Sequence, residues 1–140
     1  FVRVSTEAKV VRLDDCNLEG TSHDKDDPLE QEIIRLVKKF GFAASSRYTS
    51  EVSLVGNRFT GPFVKKIIEG AYWERARHPD KENMPRLHLD LRRNRIADHE
   101  RIIEELRAGK TAGGAIDVAT MDDPQDVRDK ALIVVDFADQ

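Results

Sequence analysis

Cysteine is almost missing from this chain. Cys16 stands alone, so no internal disulfide can form, which suits a reducing cytoplasm. Cys16 itself reads as a small, half-buried residue just after a strand. No apolar run approaches the ~20 residues that cross a bilayer, and no secretory signal is visible. Neither charge sign dominates: the net charge is −3, which does not favour non-specific binding to polyanions such as nucleic acid. Low-complexity tracts and a clear domain boundary are missing too, and the sequence shows no internal repeat. The chain opens on Phe1, as a processed chain or a piece of a longer one would.

What is present is a soluble globular composition, 39% apolar and 35% charged over 140 residues. That length suits one domain with a modest core, taken as residues 1–140. Val2 to Leu13 reads as a strand and Asp14 to Pro28 as a long polar loop. Leu29, Ile33, Leu36, Val37 and Phe40 are at helical spacing, with Asp26 or Asp27 as the cap, Pro28 in the first turn and Gly41 as the stop. Glu51 to Val55 is a short strand closed by the turn signal Gly56-Asn57. Pro62 opens a second helix running towards Trp73. His78 to Pro85 is a loop, Arg86 to Leu91 a strand, and Ile96 to Leu106 a third helix. Ala115 to Thr120 is a strand candidate, and a turn or short helix follows through Lys130. Ala131 to Phe137 is a β-branched run that ends the series. The alternation predicts an α/β fold: a doubly wound, parallel five-stranded sheet with helices on both faces.

The candidate chemistry lies where apolar runs stop at acids. Val10-Val11-Arg12-Leu13 ends at Asp14 and Asp15, and Leu87-His88-Leu89 ends at Asp90. Open parallel sheets bind ligands beyond the carboxyl ends of their strands. With the flavodoxin-like order 2-1-3-4-5, the first and third strands are neighbours. Asp14, Asp15 and Asp90 then share one pocket, which repels itself unless it holds a cation such as Mg²⁺. Asp90 becomes a nucleophile that accepts a phosphoryl group, and Thr120, ending the fourth strand, a hydroxyl that senses it. The bland alternative is three solvated acids at strand ends.

At these residues the sequence resembles the receiver domain of bacterial two-component response regulators. "VVRLDDCNL" is similar to the first strand and its acidic pair, "LEQEIIRLVKKFGF" to the first helix and "HLDLRRN" to the phosphoacceptor strand. "DHERIIEELR" is similar to the third helix, and "AIDVATMDDPQDV" to the fourth strand with its Thr. The resemblance implies a signalling domain rather than a turnover enzyme. A sensor histidine kinase would phosphorylate Asp90, with Mg²⁺ on Asp14, Asp15 and Asp90. The output would be homodimerisation or partner binding through a rearranged face. The segments Asn17 to Asp27 and Gly70 to Pro85 are longer than in a compact receiver, the second resembling the insertion of phytochrome-associated receivers. Where the family has Pro and then Gly after the phosphoacceptor, this chain has Asn94 and then Asp98-His99. Val134 to Gln140 carries no Lys to pair with a phosphoryl group.

Two other classes stay open. "LDDCNL" with "AIDVATMDD" is also similar to NYN/PIN-type ribonucleases, in which Asp14, Asp117 and Asp123 would bind metal and residues 115–123 would be helical. The missing Lys motivates a phosphorylation-incompetent α/β interaction module. Arg92-Arg93-Asn94-Arg95 reads as a solvated basic loop. His88 shares a strand face with Asp90 and has a structural role. Tyr72-Trp73 is an anchor in the core or at an interface. Gly109-Lys110-Thr111 is not a phosphate loop, because Glu104 stands where the motif needs Gly and a helix precedes it.

Overall fold

The computed structural model describes residues 10–22, 27–42, 51–84, 86–109, 113–138 and 140. In chain order they form β1 (Val10–Arg12), β2 (Glu19–Gly20), α1 (Pro28–Phe42), β3 (Glu51–Ser53), β4 (Arg58–Phe59), α2 (Gly61–Ala76), a 3-10 turn (Lys81–Asn83), β5 (Leu87–Asp90), α3 (His99–Arg107), β6 (Val118–Thr120), α4 (Gln125–Lys130) and β7 (Ile133–Asp136). The predicted strands and helices are all present in shortened or shifted form; residues 2–9 of the first strand lie outside the described residues. The loop predicted from Asp14 contains β2, which pairs in parallel with β4 as a two-residue ribbon. Asp27 caps α1 as expected: its Oδ1 accepts the Glu30 N–H at 3.1 Å, with Pro28 in the first turn.

Five strands make one parallel sheet in the order β1-β3-β5-β7-β6. This corrects the expected 2-1-3-4-5 order. β3 lies between β1 and β5, so the first and third strands do not touch. Side-chain polarity supplies the reason. A doubly wound sheet needs strands that are apolar on both faces. Here one face carries Val11, Val52, Leu89 and Val135 in register, all buried, together with Leu13, Leu54, Leu87, Leu91 and Ile133. The other carries Arg12, Ser53, Asp90 and Asp136 in one row and Val10, Glu51, His88 and Val134 in the next. Only the first face can bury helices along its whole width.

Crossovers are right-handed in parallel sheets, so two steps in one direction put their helices on one face. α1 packs against α2 and α2 against α3. Their residues Ile33, Val37, Phe63, Val64, Ile67, Ile68, Ile102, Ile103 and Leu106 complete the main core. The step from β6 back to β7 reverses direction and carries α4 to the opposite face. There Ala119, Ala131 and Val134 form a separate small cluster. Among the described residues no helix covers that second face over β1, β3 and β5; Val10 is 43% exposed and Arg12 and His88 are exposed, while Glu51 is half-buried and Ser53 and Asp90 are buried. Among the described residues no helix is long and apolar enough to cross a membrane.

The outer edge of β6 is closed without a neighbouring strand. The Val118 N–H donates to Ile116 O at 3.1 Å, and Val118 O accepts Arg107 Nε at 2.9 Å. The Thr120 N–H donates to Asp123 Oδ2 at 2.7 Å, and Thr120 O accepts the Asp123 N–H at 3.1 Å. Arg107 and Asp123 also pair with each other. The four outward main-chain groups that could template a foreign strand are thus all occupied. Partial burial pushes the Asp123 carboxyl up. The Thr120 N–H and the Arg107 guanidinium outweigh that and hold it below the usual carboxylate range. The seal is therefore intact above that range and is lost as pH falls through the lowered value. Replacing both residues (Arg107→Ala with Asp123→Ala) should raise the weight-average mass in sedimentation equilibrium as concentration rises. A mass identical to the parent's at every concentration would contradict the edge assignment.

Candidate functional site

The turns leaving the strands are copies of one another. Val52-Ser53-Leu54-Val55-Gly56-Asn57-Arg58-Phe59 and Leu89-Asp90-Leu91-Arg92-Arg93-Asn94-Arg95-Ile96 share the pattern Leu-x-x-Asn-Arg followed by a large apolar residue. Val11 to Leu18 fits the same frame with Cys16 at the Asn position, and Val135 to Gln140 fits it with Gln140 there. The hydrogen bonds repeat with the frame. The Asn57 side-chain amide donates to Leu13 O at 2.9 Å and Leu54 O at 3.0 Å. Asn94 donates to Leu54 O at 2.9 Å and Leu91 O at 3.1 Å. Gln140 donates to Leu91 O at 2.8 Å. Each side-chain oxygen accepts in return from the unit before: Asn57 from the N–H groups of Cys16 and Leu18, Asn94 from Phe59, and Gln140 from Asn94 and Ile96. The backbone follows suit, with Leu13, Leu54 and Leu91 N–H bonded to Ser53, Asp90 and Asp136 O. The chain does contain an internal repeat, contrary to the reading of the sequence. The intervals between its copies are unequal, which hides it.

These turns set the rim on which the predicted site residues stand. Asp14 and Asp90 share a sheet face and the carboxyl end of the sheet. They are separated by β3, two strand spacings or roughly 10 Å across the sheet. Ser53, overlooked in the sequence, sits between them in register with Asp90. Asp14 Oδ1 accepts from Ser53 Oγ at 2.6 Å and from the Val55 N–H at 2.9 Å. Asp90 is clamped by Arg92, whose Nε and Nη2 donate to its two oxygens at 2.9 and 2.8 Å. The same Arg92 Nε lies 3.6 Å from Asp136 Oδ2, across the register from Asp90. Asp15 has a left-handed backbone (φ 53°) and is exposed. Its carboxylate lies over Gly56, where an added Cβ would come 1.9 Å from Oδ1.

Self-repulsion of the acids is thus relieved by protein donors. A hydroxyl and an amide serve Asp14, and a guanidinium forked onto Asp90 serves the Asp90–Asp136 pair. Asp14, Asp15 and Asp90, expected to share one Mg²⁺ pocket, thus each have their own surroundings: Asp14 on Ser53 and Val55, Asp90 on Arg92, and Asp15 over Gly56. Among the described residues no three His, Cys, Asp or Glu side chains gather to hold a metal ion. Thr120 does not join Asp90 either. β7 intervenes, and in register with Val135 Thr120 points to the helix-covered face, its hydroxyl 3.4 Å from Asp123 Oδ2.

The ribonuclease arrangement is not assembled. Residues 118–120 are strand rather than helix. Asp117 precedes β6, at the opposite end of the strands from Asp14, and Asp123 is held by Arg107. On the open face, partial desolvation and then the nearby Arg86 lower the His88 pKa, with Arg128 adding and Glu51 opposing. These influences together favour the neutral form of the His88 imidazole. The residues missed in the sequence are Ser53, Arg92, Asn94, Asp136 and Gln140. The twice-used Leu-x-x-Asn-Arg string was the signal for Asn94. No family model matches the chain, and no curated protein or solved structure matches it either.

Proposed function

We propose that the chain is a non-catalytic α/β interaction module, built by stacking a strand, an amide-stapled turn and a helix, whose open sheet face and rim receive a protein partner. The observation that carries this is the side-chain amide ladder through Asn57, Asn94 and Gln140, which ties each unit only to its neighbours. Units that stack this way form solenoids, and solenoids bind along the face their helices leave bare. The spacing Leu-x-Leu-x-x-(Asn or Cys)-x-Leu is the one by which leucine-rich repeats are recognised. Units in that class run to about 20–29 residues. Those here are longer, the extra length lying in α1, α2 and the segments around them.

The Arg92 clamp supports the non-catalytic part, because it occupies the carboxylate that a phosphorelay would modify. The second reading, a receiver phosphorylated on Asp90 by a sensor histidine kinase with Mg²⁺, has one feature in its favour: Asp90 ends the central strand of five. Titration with Mg²⁺ and beryllofluoride, followed by amide chemical shifts, separates the two. The interaction-module reading expects no saturable shift at Ser53, Asp90 or Arg92. Saturable shifts that vanish in Asp90→Ala would overturn it in favour of phosphorylation.

A further inference from the structure

We propose that the sheet face opposite α1, α2 and α3 receives an extended acidic segment of a partner protein, laid across β1, β3 and β5. The inference rests on the interaction-module reading and adds the chemistry of the partner. Among the described residues three ion pairs lie across the sheet here, and in each the cation is the more exposed member. Arg12 Nη2 lies 3.8 Å from Glu51 Oε2, the two side chains being 64% and 31% exposed. The Arg92 side chain is 45% exposed, against 12% for Asp90 and 30% for Asp136. The acids are sheltered and already engaged, Asp14 among them through Ser53 and Val55. What projects into solvent is the guanidinium of Arg12, the guanidinium of Arg92 and the imidazole of His88.

Acids bound this basic area on two sides. Towards α4, Arg86 pairs with Asp129, and there the acid is the more exposed partner. At the rim the exposed Asp15 lies over Gly56. Between those limits the cationic tips favour carboxylates and disfavour lysine or arginine. An extended chain places alternate side chains about 7 Å apart, so two such steps cover the roughly 10 Å from β1 to β5. His88 adds a pH response. Partial desolvation, then Arg86, with Arg128 adding, favour its neutral form, and Glu51 opposes them. Carboxylates brought beside the ring favour the imidazolium, so binding tightens as pH falls through the histidine range.

Two synthetic peptides of about eight residues provide the probe. One alternates glutamate with serine, the other lysine with serine. With the intact chain at low ionic strength, the glutamate peptide should give saturable amide shifts at Arg12, His88 and Arg92. The lysine peptide should bind at least about tenfold more weakly. Arg12→Glu should weaken the glutamate peptide at least about fivefold while the circular dichroism spectrum stays unchanged. Arg101→Glu, the same charge change on α3, should leave its affinity as in the parent. The gain in affinity on acidification should disappear in His88→Gln. Equal affinity for the two peptides, equal losses in the two arginine variants, no saturable shift with the glutamate peptide, or a pH response that survives His88→Gln would overturn the proposal. Each of these leaves the interaction-module reading standing, which the beryllofluoride titration tests separately.

Discussion

Asn94→Ala should lower the unfolding free energy by about 2–4 kcal/mol in urea titration, more than its modest change in volume implies. Asn94 is 2% exposed. Its amide nitrogen reaches Leu54 O at 2.9 Å, Leu91 O at 3.1 Å and Arg92 O at 3.2 Å. Its oxygen accepts the Phe59 N–H at 3.4 Å. Alanine leaves the Phe59 N–H without this partner and removes one donor from Leu54 O and from Leu91 O. Those two carbonyls keep Asn57 and Gln140, which holds the loss below the sum of four bonds. Asn94→Asp should cost more than alanine, because a carboxylate cannot donate and would place a charge among carbonyl oxygens. Arg95→Ala, exposed in the same turn, should change stability by less than about 0.5 kcal/mol. A loss under about 1 kcal/mol for Asn94→Ala would show that the ladder does not hold the rim.

Phe59→Ala should be the most damaging single change, about 3–5 kcal/mol, and should lower Tm by about 10–20 °C. Phe59 closes the repeated frame, at the position of Leu18 and Ile96 in the neighbouring units. It is 1% exposed, and its ring centroid lies 5.2 Å from that of Phe63, the fully buried first-turn residue of α2. The space around this pair is tight: a Cβ on Gly20 would fall 2.2 Å from the Phe63 ring. Deleting the Phe59 ring therefore opens a cavity where α2 meets the β2–β4 ribbon, with little slack nearby to close it. Phe59→Leu should recover most of the loss, leaving less than about 1.5 kcal/mol. If thermal melts showed alanine and leucine to be equally mild, Phe59 would be a surface contact and the unit boundary would lie elsewhere.

The alternation of strands and helices is legible because short β-branched runs and helical spacings sit between clear stops such as Gly56-Asn57 and Pro62. Strand order is not legible in the apolar runs alone, because it depends on which sheet face each residue of a run serves. Arg12, Ser53, His88 and Asp90 alternate with buried Val11, Val52 and Leu89, and a sheet covered by helices on both faces would not place polar residues there. Asp14 and Asp90 were rightly placed at strand ends. Their separation follows from the order alone. The basic string at 92–95 was read as solvated, yet it contains both the clamp on Asp90 and the buried staple Asn94. No residue pattern marks Gln140 as a staple, since it becomes one only through its place after β7. The sealing of β6 by Arg107 and Asp123 is equally invisible, because the two are brought together by the path of α3.

Interstrand nuclear Overhauser effects in an isotope-labelled sample test the central claim most directly. With β3 seated between β1 and β5, backbone contacts should join Val11 to Val52 and Val52 to Leu89. A direct backbone contact between Val11 and Leu89, with Val52 outside the pair, would contradict the stacked-unit account and return the two acidic tips to one pocket.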